Sequence, residues 1–278
     1  MNQPDTRSIV DIDAVVALAR RAGDAILEVY ESADFSVERK DDDSPLTAAD
    51  LAAHHIIVEG LGKLTPSIPV HSEESESVSW QQRQQWQRYW LVDPLDGTKE
   101  FIKRNGEFTV NIALIEQGVP ILGVVHVPVT GVSYLGGADI GAFRQQGDQR
   151  TAISVRRQLG NTVVMVASRS HGTDTVALLE GLIGQRLGQV QLTSMGSSLK
   201  LCLVAEGKAD IYPRLAPTCE WDTAAADAVV RAAGGQVVDT DFQPLTYNKE
   251  NILNPHFLVL GADIASWQFL KPVLDGAH

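Results

Sequence analysis

The stretch YWLVDPLDGTKEF, Tyr89–Phe101, is the most informative part of the sequence, because it combines a predicted strand with a turn that carries candidate ligands. Its apolar run Trp90–Val92 predicts a buried strand that delivers Asp93 at its carboxyl end. A proline then sets a turn, Asp96 returns a second carboxylate to the same side, and Gly97 lets the backbone approach a ligand closely. Carboxylate and carbonyl oxygens are the ligands that magnesium prefers, but an ordinary Asp-rich turn has the same composition. This stretch alone leaves both interpretations open.

Three further acidic clusters follow a predicted strand or open a predicted helix. Residues 71–74, HSEE, follow a short strand, although a solvated loop would have the same composition. Residues 220–223, EWDT, open an Ala-rich helix, where an Asp is often only a cap or a dipole partner. Residues 47–50, TAAD, have the spacing of a variant capping box. Each cluster therefore has a structural explanation as well as a functional one.

The first half of the chain combines helices with antiparallel strands. Apolar residues at helical spacing over 9–30 predict one helix, and a second is expected at about 47–64. The charged segment 37–47 predicts a loop or an exposed hairpin, and 81–88 predicts a short surface helix. A turn at 118–120 joins two of the following strands and predicts an antiparallel meander. The predicted strands are 68–72, 89–93, 108–116, 121–129 and 132–137.

After about residue 155 strands and helices alternate, which is typical of α/β folds. The predicted elements are strand 162–168, a helix from about 174, strand 189–194, helix 197–206, strand 209–213, helix 222–233 ending at Gly234-Gly235, strands 235–239 and 256–260, and a terminal helix. The predicted fold class is therefore α/β, with an α+β half at 1–155 and an α/β half at 156–278. We expect the two halves to pack tightly, with the site in the cleft between them.

Composition and charge exclude some classes of protein. The 278 residues include 23 Lys and Arg against 35 Asp and Glu, a formal net charge of −12, and 44% are hydrophobic. This acidic balance disfavours a protein that coats nucleic acid or binds a membrane through a polybasic surface. An acidic protein can still bind an anionic small molecule where metal ions invert the local charge.

The cysteines and the apolar segments bear on the compartment. The N-terminal residues show no basic region followed by an apolar stretch, and no window approaches the roughly 18 apolar residues that a membrane-spanning helix needs. Cys202 and Cys219 are far apart and form no CxxC pair, so we expect reduced thiols and no disulfide partner. A cytoplasmic protein is predicted.

Taken together, the motifs resemble the inositol-monophosphatase-like superfamily of magnesium-dependent, lithium-sensitive phosphatases. The resemblance rests on Glu73-Glu74, on DPLDGT at 93–98 and on WDTAAADAVVRAAGG at 221–235. Longer runs are similar to the bacterial 3′(2′),5′-bisphosphate nucleotidases of that superfamily: residues 40–50, 88–116, 196–214 and 253–257. One departure is Ala226, where related sequences commonly have Gly. The resemblance covers nearly the whole chain and implies a layered fold like that of the sugar phosphatases.

The resemblance also implies a set of site residues. Glu73, Asp93 and the carbonyl of Leu95 would hold one Mg²⁺, and Asp93, Asp96 and Asp222 would hold a second. Some family members use a third, weaker Mg²⁺ assisted by Glu73 and water. In the implied catalytic set, Asp50 and Thr98 would orient or deprotonate the attacking water, Glu73 would assist, and Gly97 and Thr98 would receive the scissile phosphate. Two divalent ions would approximately neutralise the four metal-binding carboxylates, which would otherwise repel one another.

A second group of residues bears on the choice of substrate. Ser197 and Ser198 precede a helix that carries Lys200, and a helix N-terminus with small hydroxyl residues suits an anion. Arg214 could pair with a second phosphate. The alternatives are a helix cap for the two serines and a surface salt bridge for Arg214. With these four residues, the implied substrate-binding set comprises Glu73, Leu95, Asp96, Gly97, Thr98, Ser197, Ser198, Lys200, Arg214 and Asp222.

The implied reaction is the hydrolysis of adenosine 3′,5′-bisphosphate to AMP and phosphate, with its sulfate-bearing analogue as a further substrate, in sulfur metabolism. The protein would act on this small molecule as a monomer or a homodimer, either free in the cytoplasm or, as the resemblance implies, peripheral on the cytoplasmic side of the inner membrane. One alternative is the same chemistry on inositol monophosphate or another sugar phosphate. Another is a non-catalytic protein that senses a nucleotide or a metal, but the intact set of acidic residues argues against a loss of catalysis.

Overall fold

The computed structural model describes residues 10–32, 45–75, 78–167 and 174–276, with only the backbone of residues 45 and 46. Most of the predicted loop at 37–47 lies outside the described residues. The helices are α1 (Ile12–Ser32), α2 (Pro45–Leu64), α3 (Trp80–Arg83), α4 (Thr98–Ile102), α5 (Asp174–Leu187), α6 (Leu199–Ala205), α7 (Glu220–Ala232) and α8 (Lys271–Leu274). Within the described ranges, no helix is both long and apolar enough to cross a membrane.

The first sheet is the predicted meander. Its strands are β1 (Val70–Ser72), β2 (Arg88–Asp96), β3 (Thr109–Glu116), β4 (Val119–Val127), β5 (Val132–Gly137), β6 (Gly141–Gln146) and β7 (Gln149–Ala152). They lie side by side in chain order, with β1 parallel to β2 and every later neighbour antiparallel. Both faces of the sheet are apolar because Trp90 and Val92 pack towards α1 and α2, whereas Tyr89 and Leu91 face the opposite core.

The second sheet is mixed. Its strands are β8 (Thr162–Ala167), β9 (Gln189–Ser194), β10 (Ile211–Arg214), β11 (Gln236–Asp239) and β12 (Phe257–Leu260), in the order β11-β12-β10-β8-β9. Strand β8 is parallel to β9 and β10, and β12 is antiparallel to β10 and β11. Helices α6 and α7 fill the core between the two sheets, and α5 packs with the C-terminal helical turns on the outer face.

Small residues bring α7 directly onto the first sheet. A Cβ at Gly123 of β4 would collide with the main-chain oxygen of Ala225, and one at Gly136 of β5 would lie 2.8 Å from the Cα of Val229. The Ala-rich sequence of the helix matches this close approach because Ala224, Ala225 and Ala226 are all buried. The packing fixes where the first turn of α7 stands relative to the end of β2.

Several sequence-based expectations need correction. The segments β6, β7 and α4 were not predicted, and the expected terminal helix consists of two 3₁₀ turns followed by the four residues of α8. The capping-box interpretation of 47–50 is wrong, because α2 begins at Pro45 and Asp50 therefore lies in its second turn. Helix α6 covers 199–205 instead of 197–206, so it has only seven residues.

Candidate active site

A cleft of about 380 Å³ opens where the carboxyl end of β2 meets the first turns of α4 and α7. The chain segment before α6 and strand β10 form its other walls. The lining includes eight of the residues singled out from the sequence: Asp96, Gly97, Thr98, Ser197, Ser198, Lys200, Arg214 and Asp222. The remaining four, Asp50, Glu73, Asp93 and Leu95, do not line this cleft.

A β-bulge places the two aspartates of β2 on the same face. Asp93 pairs with Asn111, and Asp96 pairs with Thr109, so three residues of β2 span two residues of β3. Because side chains alternate between faces, partners two residues apart on β3 require Asp93 and Asp96 to point to the same side. Asp93 is buried, and its Oδ1 accepts a hydrogen bond of 3.0 Å from the amide of Leu95.

Gly97 turns the chain from β2 into α4. Its φ of +105° lies in the left-handed region, and a Cβ there would lie 3.2 Å from the Cα of Phe108 and 3.3 Å from the Cβ of Ser197. Thr98 follows as the exposed first residue of α4. The positive φ therefore favours glycine, and an added Cβ would also be in tight contact with these neighbours.

Asp222 joins the site from the second half of the chain. It lies in the first turn of α7, and its Oδ2 accepts a hydrogen bond of 2.8 Å from the amide of Cys219. The capping interpretation of this residue is therefore correct, and the same side chain also lines the cleft. Burial, and next the charge of Asp96, raise the pKa of Asp222 to about 7.

Glu73 reaches the carboxylates from the end of β1. Its amide donates to the carbonyl of Val92, which places it beside Asp93. The residue as a whole is exposed, but partial burial of its carboxyl group and the charges of Glu74 and Asp96 raise the pKa of Glu73 to about 7. The pKa of buried Asp93 is raised still more clearly, first by burial and then by the charges of its acidic neighbours, Asp96, Glu73, Asp222 and Asp50.

Asp50, on α2, lies near the same cluster of carboxylates and its charge acts on Asp93. Burial, and then the charges of Glu74 and Glu73, raise the pKa of Asp50 to about 8. Its Oδ1 atom is buried and has no hydrogen-bond partner within the described part of the chain. A buried carboxylate oxygen without a partner is costly, and here it belongs to a cluster whose charges repel one another. The cluster is therefore suited to a cation or to a polar ligand that donates hydrogen bonds.

Main-chain and side-chain groups donate hydrogen bonds to one of these carboxylates. Asp96 Oδ2 accepts bonds of 2.6 Å from the amide and 2.7 Å from the hydroxyl of Ser198. Among the described residues, no three His, Cys, Asp or Glu side chains form a ready-made metal site. The carboxylates of Glu73, Asp93, Asp96 and Asp222 nevertheless fit Mg²⁺, because they are hard oxygen ligands whose charges repel one another.

Three cationic residues line the cleft with these carboxylates: the exposed Lys99 of α4, Lys200 and Arg214. Lys200 is buried, donates to the carbonyl of Met195 at 3.3 Å and lies 5.7 Å from the ring centroid of Tyr212. Burial lowers its pKa to about 8, although the charge of Asp96 opposes this shift. Arg214 donates to the carbonyls of Ala216 at 3.1 Å and Pro217 at 3.0 Å, so main-chain oxygens orient it in place of the salt bridge considered from the sequence.

Sequence reasoning missed Asn111 and the contacts of Ser198. Asn111 is buried on β3, and its Nδ2 donates to the Ser198 hydroxyl at 2.9 Å. The signal available in the sequence was a lone amide in the apolar strand FTVNIALIE. Ser198 is only 2% exposed, and its amide and hydroxyl both donate to Asp96. These two facts argue against a direct contact between its hydroxyl and the substrate.

Comparison with known proteins shows to which family the chain belongs. The model of the inositol monophosphatase family matches residues 9–268. The chain belongs to this family. It is 56% identical over 250 residues to the 3′(2′),5′-bisphosphate nucleotidase CysQ of Salmonella typhimurium, covering 89% of this chain and 98% of that protein. The CysQ nucleotidase of Escherichia coli K12 is 55% identical with the same coverage.

Solved structures confirm the predicted fold of the family. The crystal structure of CysQ from Bacteroides thetaiotaomicron matches with a TM-score of 0.84 and 43% identity, covering 92% of this chain and 99% of that one. An inositol monophosphatase from Thermotoga maritima matches with a TM-score of 0.72 at 22% identity, covering 96% and 97%, which speaks for the fold alone. The resemblance drawn from the sequence motifs is therefore confirmed.

Proposed function

We propose that this protein hydrolyses the 3′-phosphate of adenosine 3′,5′-bisphosphate to AMP and phosphate, with Mg²⁺ as cofactor. The observation that carries the proposal is that Asp96 and Asp222 share one cleft with Lys200 and Arg214. A substrate with two phosphates needs cationic contacts away from the metal ligands, whereas inositol monophosphate does not. The identity to proteins described as 3′(2′),5′-bisphosphate nucleotidases supports the same choice, and the sulfate-bearing analogue is proposed as a further substrate.

The proposed ligands for two Mg²⁺ ions come from both halves of the chain. Glu73, Asp93 and the Leu95 carbonyl would hold one ion, and Asp93, Asp96 and Asp222 would hold the other; Glu73 would assist a third. Bound Mg²⁺ would supply positive charge that neutralises the carboxylates, lowers the pKa of water and stabilises the developing charge on the leaving oxygen. The raised pKa values of Asp93 and Asp222 support this role, because they reflect burial and, after it, repulsion from neighbouring carboxylates, both of which a bound cation would offset.

The chain's own groups would bind the scissile phosphate and direct the water. The amide of Gly97 and the hydroxyl of Thr98 stand where β2 turns into α4, and we infer that they donate to the phosphate oxygens. Oδ1 of Asp50, buried and without a partner in the described residues, would accept the proton of the attacking water. Water would attack phosphorus directly, the bond to the 3′-oxygen would break, and that oxygen would take up a proton from solvent to give the 3′-hydroxyl of AMP; no covalent intermediate would form on the protein.

Lys200 and Arg214 would bind the second phosphate. Both side chains line the cleft, and the main-chain oxygens of Met195, Ala216 and Pro217 orient them. An Arg guanidinium offers a planar pair of donors to a phosphate, and a Lys ammonium offers a point charge. These contacts would favour a bisphosphate over a substrate with one phosphate.

A panel of substrates tests the proposal. We expect purified protein with Mg²⁺ to release phosphate from adenosine 3′,5′-bisphosphate with a higher kcat/KM than from inositol 1-phosphate, and we expect millimolar Li⁺ to inhibit the reaction. Equal or faster turnover of inositol 1-phosphate would support a sugar-phosphate phosphatase instead. Absence of turnover on both substrates would favour a protein that only senses nucleotide or metal.

A further inference from the structure

Ser198 lies where carboxylates from the two halves of the chain meet. Its amide and hydroxyl lie 2.6 Å and 2.7 Å from Oδ2 of Asp96, and its hydroxyl also lies 2.7 Å from the main-chain oxygen of Asp222. Asp96 ends β2, and Asp222 stands in the first turn of α7. A single buried side chain therefore touches both candidate metal-binding segments.

The hydroxyl has a defined environment. It accepts a bond of 2.9 Å from Nδ2 of Asn111, so its one proton is shared between Asp96 Oδ2 and the carbonyl of Asp222. Asn111 Nδ2 and Thr109 Oγ1 also reach Asp96 Oδ2, each at 3.4 Å. All these donors bond to the same oxygen of Asp96, Oδ2. These bonds hold the carboxylate in one orientation and so also fix the position of Oδ1.

The neighbouring serine is placed differently. The Ser197 hydroxyl donates to the carbonyl of Glu107 at 2.9 Å, and the amide of Gly196 donates to Oε2 of Glu107 at 2.7 Å. Ser197 therefore holds the segment before α6 against the loop that leads into β3. Its hydroxyl also accepts a longer bond of 3.4 Å from Thr109 Oγ1. Among the described residues it makes no direct hydrogen bond to Asp96 or Asp222, so the two adjacent hydroxyls offer a matched comparison.

We propose that Ser198 is a positioning residue that aligns Asp96 with Asp222 for Mg²⁺ binding and does not bind the substrate. The inference rests on the proposed function, since it requires these two carboxylates to be metal ligands. Hydrogen bonds behind a ligating carboxylate fix its orientation, and their loss typically lowers metal affinity by about 10- to 100-fold. Without the Ser198 hydroxyl, Asp96 loses a donor, and β2 loses a link to α7.

The test is Mg²⁺ binding to metal-free protein in the absence of substrate, measured by titration calorimetry. We expect Ser198→Ala to weaken Mg²⁺ binding by about 10- to 100-fold, and Ser197→Ala to leave Mg²⁺ affinity unchanged. At saturating Mg²⁺, Ser198→Ala should retain the KM of the wild type for adenosine 3′,5′-bisphosphate. Circular dichroism checks that Ser198→Ala folds. If it does not, the same measurements are made on Ser198→Cys, which replaces the hydroxyl with a weak donor of similar size.

The possible results separate this inference from the proposed function. Unchanged Mg²⁺ affinity in the folded Ser198 variant, with the wild type binding normally, would overturn the positioning role and leave the proposed reaction standing. A raised KM together with unchanged Mg²⁺ affinity would assign Ser198 to the substrate and also overturn the inference. A wild-type protein that binds no Mg²⁺ would overturn the metal site and the positioning role together.

Discussion

Lys200 shows how burial changes the chemistry of one side chain in the cleft. The residue is 8% exposed, and burial lowers the pKa of its ammonium group to about 8. The negative charges of Asp96, Glu100 and Glu107 oppose the shift but do not cancel it. Below this pKa the side chain carries the positive charge that a phosphate requires, and above it the charge is lost. The proposed contact to a second phosphate therefore depends on pH near neutrality.

We expect the KM for adenosine 3′,5′-bisphosphate to rise as the pH increases through about 8. A phosphate loses its second proton at a pH of about 6, so the expected rise in KM near pH 8 reflects titration of the protein and not of the substrate. The measurement is KM against pH, with adenosine 3′-monophosphate as the comparison substrate, whose KM should not follow this change. Lys200→Met should remove the pH dependence; the same profile in that variant would show that another group is responsible.

The junction between β2 and α4 shows how a short element depends on one backbone position. Gly97 has a φ of +105° and supports Thr98, the first residue of a five-residue helix. Phe108, the residue directly before β3, lies close enough that an added Cβ at Gly97 would be in tight contact with it. A helix this short has little stability of its own, so its position comes from these neighbours.

Gly97→Ala should destabilise the protein by about 1–3 kcal/mol and lower kcat/KM, because it strains the backbone and meets Phe108 and Ser197. Gly131→Ala is the matched control: Gly131 also has a positive φ, of +67°, but no atom lies within 4 Å of the added Cβ. Urea denaturation measures both variants. We expect the loss at Gly97 to exceed that at Gly131, and equal losses would contradict a role for the close neighbours.

At the scale of the whole molecule, the candidate metal ligands tie together regions that are distant in sequence. Asp93 lies in the first sheet, whereas Asp222 lies on the helix between the sheets. The carboxylates raise one another's pKa values, so the metal-free protein contains a buried repulsion. A cation bound between them would replace this repulsion with attraction and would hold the two parts together.

We therefore expect Mg²⁺ to raise the Tm relative to protein in a chelator, with a stabilisation of about 2.7 kcal/mol at a concentration 100 times the Kd. Asp93→Asn should abolish turnover and this Mg²⁺-dependent shift. The metal-free variant should be at least as stable as the metal-free wild type, because an amide cannot ionise in the buried acidic cluster that raises the pKa of Asp93, while its Oδ1 can still accept from Leu95. Scanning calorimetry measures both effects. Near-normal activity of Asp93→Asn would contradict the two-metal scheme.

The elements that were predicted correctly have a strong periodic pattern. Helix α1 buries Val15, Val16, Ala19 and Ile26 along one face, and strands β2 to β5 are apolar runs separated by turn residues. The missed elements lack such patterns. All four residues of β7, QRTA, are exposed, and α4 is shorter than two helical turns.

The domain boundary at 155/156, the cytoplasmic location and the monomeric or dimeric state stay predictions.

Periodicity in the sequence was enough to predict the main helices and strands, because it depends on neighbouring residues. The motifs carried the resemblance to the family, and that resemblance implied the carboxylates of the candidate site. The remaining features became visible in the folded structure. It placed Ser198 between Asp96 and Asp222, brought Asn111 behind them, and let α7 approach β4 at Gly123. The physical reason is that these contacts, and the burial that shifts the pKa values, join segments far apart in the chain and depend on how the layers pack.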